Sequence, residues 1–241
     1  MYSLSYTSLL HKAIESNRPD KAARAIKRGA NVDHKDETSG MTRLIQASRD
    51  SHESVLELLL ASGANVNKKD SKLRGPLHHA CASNQAEAAL ILLKHGAYVD
   101  AKDNFGRSAL MDACEVKHLR VASTLMCFQC NVNSKDLHGK FPLLLACEDE
   151  GNLELIKMLI RAGADVKMAS TDGRTALHEA AMKSELDVVE FLVEQGVHIG
   201  AFTIRGETAL DLACAWKNDR AKTYLSGFEH LDQQDVLSPQ P

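Results

Sequence analysis

Two cysteines three residues apart, Cys127 and Cys130, form the one spacing in this chain that suggests metal or redox work. No second Cys pair accompanies them, and both fall in register with ordinary core positions near a helix end. The expectation is therefore structural, with a metal-binding or thiol-active protein using Cys127 and Cys130 as an alternative that metal analysis would decide. No Ser-His-Asp arrangement recurs, no glycine loop suited to cradling phosphate is present, and no paired carboxylates stand out. The acidic run Glu148-Asp149-Glu150 reads as a solvated loop, and His79 and His138 read as solvated surface or finger residues. No catalytic residue, cofactor or metal ligand is assigned.

The elements that hold these residues repeat. From Asp172 to Gly196 a turn signal, Asp172-Gly173, leads to a capping Thr175. A short helix then carries Leu177, Ala180 and Ala181, and a second helix carries Leu186, Val189, Phe191, Leu192 and Val193 before Gly196 ends it. Neither helix is long enough to be stable alone in water, so the unit requires copies. The chain supplies them: the Leu recurs at 10, 44, 77, 110, 143, 177 and 210, in steps of 33 or 34 residues, and an Ala follows three residues after each. Self-similarity at this period is the signature of a stacked array.

The motifs are specific. Gly75-Pro76-Leu77-His78-His79-Ala80 and Thr175-Ala176-Leu177-His178-Glu179-Ala180 resemble the Thr-Pro-Leu-His-x-Ala of ankyrin repeats. Ser8-Leu9-Leu10-His11-Lys12-Ala13 is a looser form, and Gly63-Ala64-Asn65-Val66-Asn67 matches the family's Gly-Ala-Asn-Val-Asn. The resemblance implies an all-α fold, an α-solenoid of ankyrin repeats in which each helix-turn-helix carries a β-hairpin finger. Fingers and short helices would line a concave face. A domain over 1–225 is expected, with seven repeats at about 4–36, 37–69, 70–102, 103–135, 136–169, 170–202 and 203–225, the first and last degenerate. Residues 226–241 read as a polar, disordered tail. The resemblance also puts His11, His78 and His178 at the family's structural histidine, where the ring hydrogen-bonds nearby backbone.

Local chemistry explains the recurring letters. Ser8, Thr42, Ser108, Thr175 and Thr208 are placed to cap the short helix, and Pro76 and Pro142 stand at its first position. Gly29, Gly63, Gly96, Gly163 and Gly196 suit the left-handed conformation past a helix end. Cys81, Cys114, Cys147 and Cys214 share the second position of the small pair, a buried column where Cys serves as a small hydrophobe. Repeats stacked about 10 Å apart hold them too far apart for disulfides. Lys12, Glu15, Arg18, Asp20, Lys21 and Arg24 give the first repeat a solvent-facing side, as a cap requires.

Three departures stand out. Gln129-Cys130 replaces Gly-Ala and predicts a strained or reshaped helix end. Repeat five carries an extra residue between its helices and puts Phe141 at the cap position. The inter-helix turns hold Asn17, Ser51, Asn84, Lys117 and Ser184, of which Ser and Lys adopt positive φ less readily than Asn. Stability below that of a consensus array follows, with an unfolding midpoint under about 90 °C.

Surface columns point to a partner. The position after the finger glycine reads Met41, Arg74, Arg107, Lys140, Arg174 and Glu207, a basic ladder read either as a solvated face or as a docking stripe for an acidic or phosphorylated peptide. Acids at Asp50, Glu115 and 148–150 make the face mixed in sign. Leu73, Phe105, Leu137 and Ile204 stand at finger tips, and exposed apolar groups mark interfaces. The expected partner-binding set is Arg74, Phe105, Arg107, Leu137, Lys140, Arg174 and Trp216. The last is placed to serve either the interface or the end of the core.

Composition narrows the classes. With 44% hydrophobic but only 5% aromatic residues, the core suits close-packed short helices. A net charge of -3 disfavours nucleic acid. No run of about 18 apolar residues exists to span a membrane, and no secretory signal is expected. Six unpaired cysteines fit a reducing compartment, cytoplasmic or nuclear. The expected function is a non-enzymatic scaffold or adaptor, a monomer binding another protein through concave face and finger tips. A substrate-recruiting adaptor of a ubiquitin ligase is a second possibility that the resemblance implies, although residues 226–241 lack an obvious hydrophobic helix for a recruiting box. A purely structural spacer is a third.

Overall fold

The computed structural model describes the backbone of residues 2–183 and 185–228, and side chains from Tyr6 onward. Ser184 and residues 229–241 of the expected tail lie outside the described residues. Helices come in pairs: α1 (Tyr2–Glu15) with α2 (Pro19–Lys27), α3 (Arg43–Arg49) with α4 (Glu53–Ala61), α5 (Pro76–Ala82) with α6 (Ala86–Lys94), and α7 (Ala109–Glu115) with α8 (Leu119–Cys127). Three more follow: α9 (Pro142–Cys147) with α10 (Leu153–Arg161), α11 (Ala176–Lys183) with α12 (Leu186–Glu194), and α13 (Ala209–Ala215) with α14 (Asp219–Ser226). The chain divides after Asn131 into two compact units. In the first, α1, α3, α5 and α7 pack successively, as do α2, α4, α6 and α8. In the second, α9 packs on α11 and α11 on α13, while α12 packs on α14.

Small residues permit this spacing. Ala47, Ala80, Ala113, Ala146, Ala180 and Ala213 are fully buried, as are Cys81, Cys114 and Cys147. Cys214 departs from the column and is exposed, because no helix pair beyond α13 and α14 lies over it among the described residues. Thr42, Ser108 and Thr208 cap α3, α7 and α13, accepting the N–H groups of Ile45 (3.2 Å), Met111 (3.4 Å) and Asp211 (3.2 Å). Ser8 does not cap: α1 begins at Tyr2, so Ser8 is an exposed mid-helix residue. At Phe141 the backbone is extended with no side-chain cap, and the ring is 1% exposed. The missing cap costs about 1 kcal/mol, and full burial of a Phe side chain offsets it with about 1.5–3 kcal/mol.

The turns confirm the chain's dependence on left-handed backbone. Gln129 keeps the helix end that glycine makes elsewhere, at φ 56°, so it is strained rather than reshaped. Asn17, Ser51, Asn84, Lys117, Asp149 and Lys217 also adopt positive φ between the paired helices. The extra residue of repeat five is accommodated after a shortened α9, which stops at Cys147.

The fingers are turns closed by backbone bonds, with isolated bridges such as Lys102 to Ser108 and no longer strand among the described residues. In the first unit Asp70 Oδ1 accepts the N–H groups of Lys72 (2.8 Å) and Arg74 (2.9 Å), and Asp103 Oδ1 does the same for Phe105 and Arg107, both 2.9 Å. In the second, Asp136 repeats this for His138 and Lys140, and the Thr203 hydroxyl does so for Arg205 and Glu207. Neighbouring tips join by backbone bonds, Asn104 N–H to Lys72 O (3.1 Å) and Thr171 N–H to His138 O (3.3 Å). At Gly139, φ is 71° and a Cβ would stand 2.6 Å from the Thr171 nitrogen. Only glycine satisfies both the conformation and the approach.

Described structure continues past the expected end of the repeats: α14 runs through Ser226, and the Phe228 ring stacks edge-on against Tyr224 at 5.3 Å.

Candidate protein-interaction surface

Each finger is tied from within, so its tip residue is displayed rather than buried. Leu73 and Phe105 in the first unit, and Leu137 and Ile204 in the second, are all exposed, Leu137 at 71%. Phe202 and Tyr98, which the sequence reading did not single out, are exposed to a similar degree. They lie in the loops leading from the second helix of a pair to the next finger, where no periodic pattern flags them.

The basic row looks different from its sequence. In the first unit Arg74 pairs with Asp112 at 2.9 Å, while Arg107 pairs with Asp112 at 3.4 Å and Glu115 at 2.7 Å. One nearly buried carboxylate thus serves two guanidinium groups from successive fingers. Burial raises the Asp112 pKa above the ordinary carboxylate value, against the opposing pull of Arg74, His78 and Arg107. In the second unit Lys140 pairs with Glu148, and Arg174 with Glu179 at 2.9 Å and Asp172 at 3.3 Å. The four cations are neutralised within the chain. Glu115 and Glu148 already made the face mixed in sign, but Asp112 and Glu179 went unnoticed. The available signal was their register: each lies five residues after a row arginine, at the variable position before the small pair.

The histidines divide by role. His78 Nδ1 accepts the Gly75 N–H (3.3 Å) while its Nε2–H donates to Arg107 O (3.2 Å). His178 does the same between Thr175 N–H (3.1 Å) and Glu207 O (3.3 Å). Each therefore fastens one helix to the next finger, and burial holds both pKa values below the ordinary histidine value. His11 lacks this role: it lies inside α1 and faces Glu15 at 3.2 Å. His79 is not solvated, because its ring packs inside the first unit against Asp70 Oδ2 at 2.9 Å. His138 is exposed, as its finger position suggests.

In the second unit, Lys183 at the end of α11 links two inter-helix turns. Its Nζ is 2.9 Å from Asp149 and lies over the half-exposed Trp216 ring at 5.0 Å. A polar groove of about 410 Å³ runs between the fingers and inner helices here, lined by His138, Lys140, Leu144, Glu148, Arg174 and Glu179 among others. Cys127 is exposed but Cys130 is buried, and burial with the nearby Asp100 charge pushes its thiol up to about 11. Such a thiol stays protonated at neutral pH and is a poor nucleophile. Among the described residues no three His, Cys, Asp or Glu side chains gather to hold a metal.

Paired helices stacked through small residues, with rigid apolar-tipped fingers, define a helical-repeat scaffold. Family models for ankyrin repeats match residues 69–136, 138–235 and 44–93, and the chain belongs to the ankyrin-repeat family. Over 44 residues it is 48% identical to the human Notch-regulated ankyrin repeat-containing protein, covering 18% of this chain and 39% of that one. Over 73 residues it is 48% identical to the chicken (Gallus gallus) Arf-GAP with coiled-coil, ANK repeat and PH domain-containing protein 2, covering 30% of this chain and 9% of that one. The chain thus spans well under half of either relative. The crystal structure of the human ASB11 ankyrin repeat domain aligns with a TM-score of 0.74 at 27% identity, covering 85% of this chain and 90% of that chain. Ankyrin repeats are a protein-interaction module, and the comparisons place this chain within that class.

Proposed function

We propose that this chain is a non-enzymatic adaptor that grips another protein with its apolar finger tips. The observation that carries this reading is the display of Phe105 and Leu137, half or more exposed on fingers fixed by side-chain and backbone hydrogen bonds. A rigid, preformed surface loses little entropy on binding, and large apolar or aromatic side chains supply most interface energy. Arg74, Arg107, Lys140 and Arg174 act as oriented, internally paired polar contacts beside these anchors, not as a positive field. They favour a partner face of apolar pockets with hydrogen-bond acceptors over a strongly phosphorylated one. Trp216, held under Lys183, is the corresponding anchor on the inner-turn side. The chain acts as a monomer, and six free cysteines suit the cytoplasm or nucleus. No helix among the described residues is long and apolar enough to cross a membrane.

The test is affinity capture with the wild-type chain, followed by titration of the main recovered partner against Phe105→Ala/Leu137→Ala. Binding should weaken by about a hundredfold, as expected when two anchors of roughly 1–2 kcal/mol each are truncated. Unchanged affinity, with an unchanged unfolding midpoint, would refute the finger-tip reading.

A further inference from the structure

Between α1 and α2 lies a groove of about 430 Å³, lined among others by Tyr6, Leu9 and Ala25 and by Lys21, Arg24 and Arg28. Its volume is within the range of about 300–1,000 Å³ typical of ligand pockets. Leu9 is 48% exposed, while Ala25 is buried. The Arg28 guanidinium lies 5.9 Å from the Tyr6 ring centroid, a cation–π distance that holds it along the groove. Among the described residues, no carboxylate lies within 4 Å of Lys21, Arg24 or Arg28; Asp20, which pairs with Arg18 at 3.6 Å, feels Arg24 only at longer range. Residues 1–28 carry six Lys/Arg and two Asp/Glu, a net charge of +4 in a chain whose total is -3.

From this juxtaposition we infer a second binding site: the groove between α1 and α2 takes a short acidic peptide segment of another protein, with one large apolar side chain seated on Leu9 and Tyr6 and flanking carboxylates on Lys21, Arg24 and Arg28. Charge complementarity fixes the sign of the ligand, and unpaired surface cations attract carboxylates without first losing an internal partner. The apolar wall of Tyr6 and Leu9 favours one large apolar side chain. A bilayer engages a continuous apolar helix face, whereas here Tyr6 and Leu9 share one groove with Lys21, Arg24 and Arg28. Nucleic acid needs phosphate contacts but no aliphatic wall. The site is separate from the finger tips, so the chain would join two proteins at once.

The experiment uses the full 241-residue chain and a displayed library of random 12-residue peptides. Enriched peptides should combine two or more Asp or Glu with Leu, Met or Phe. The best of these, made synthetically and followed by fluorescence polarisation, should bind Lys21→Glu/Arg24→Glu about tenfold more weakly, as loss of about 1.4 kcal/mol implies. Leu9→Ser should weaken it by a similar factor. Phe105→Ala/Leu137→Ala should leave it unchanged, which separates this site from the finger tips. All three substituted positions of the groove are exposed, and unfolding midpoints serve as the control for folding. If the charge reversal unfolds the chain, Lys21→Gln/Arg24→Gln replaces it. The inference is overturned by no enrichment, by enriched peptides without acids, or by affinity insensitive to both Leu9 and the two cations. It is also overturned if phosphatidylserine vesicles or a single-stranded oligonucleotide, and no peptide, bind in a Lys21- and Arg24-dependent way.

Discussion

In the finger row, Arg74 and Arg107 share Asp112, Lys140 faces Glu148, and Arg174 sits between Glu179 and Asp172. In the groove between α1 and α2, Lys21, Arg24 and Arg28 have no carboxylate within 4 Å among the described residues, Asp20 reaching Arg24 only at longer range. Both regions are basic as strings of letters, but the first spends its charge on positioning its own side chains and the second leaves it available. Orientation is the gain in the row: a guanidinium held by a carboxylate presents its remaining N–H groups in a fixed direction. Attraction is the gain in the groove, where it is tunable by salt because the charges are exposed.

The largest effect that separates the two regions is expected at Gly139. Gly139→Ala drives a Cβ to within 2.6 Å of the Thr171 nitrogen at φ 71°, so thermal denaturation should show a loss of about 2–3 kcal/mol. Finger-tip binding should fall with it, while binding of an acidic peptide to the groove persists. Loss of both together would mean that the regions are not independent.

A smaller change should convert one region into the other. Asp112→Asn with Glu115→Gln frees Arg74 and Arg107, so in a Lys21→Glu/Arg24→Glu background a weak, salt-sensitive binding of acidic peptide to the row itself should appear that the wild-type row does not give. Burial works against the Asp112 charge and raises its pKa, which offsets part of what is lost when the neutral isostere gives up its two arginine pairs. Unchanged peptide affinity would show that neutralisation is not what distinguishes the row.

Mild acid should act on the row alone. The unfolded chain protonates histidine near 6.5, whereas burial keeps His78 and His178 neutral to lower pH. The unfolded state thus binds more protons below 6.5, and stability falls as pH drops from 6.5 towards 5.5. The unfolding midpoint should decrease over this interval, with groove affinity for an acidic peptide constant because Lys and Arg do not titrate there. A flat midpoint would break the assignment of these rings as neutral fasteners.

The smallest effect concerns Arg43, 8% exposed with one hydrogen bond, Nη1–H to Gln46 (3.1 Å), and no partner for its buried Nε. Unlike the row arginines it has no carboxylate within 4 Å among the described residues, so Arg43→Met should raise stability by about 1 kcal/mol. Urea denaturation that shows a loss instead would indicate a compensating contact at Gln46.

Much of the fold was legible because its rules are local. The 33-residue period, Thr42, Ser108 and Thr208 as caps, Pro76 and Pro142 at helix starts, and glycine at helix ends all act within a few residues. Ser8 failed as a cap because the helix that contains it starts earlier, and nothing in a four-residue cap motif reports what precedes it. His79 and His11 exchanged roles for a similar reason. A buried partner at Asp70 lies nine residues away, while His11 has only its own helix to face.

The sequence by itself determined the repeat, its helices and turns, the small-residue column and the exposed finger tips, since these follow from short-range sterics and hydrogen bonding repeated in register. It also listed every cation. Which cations remain free was decided only by the tertiary structure. Charge pairing depends on where side chains end after stacking, and Asp112 reaches arginines from two successive fingers, one of them 38 residues away.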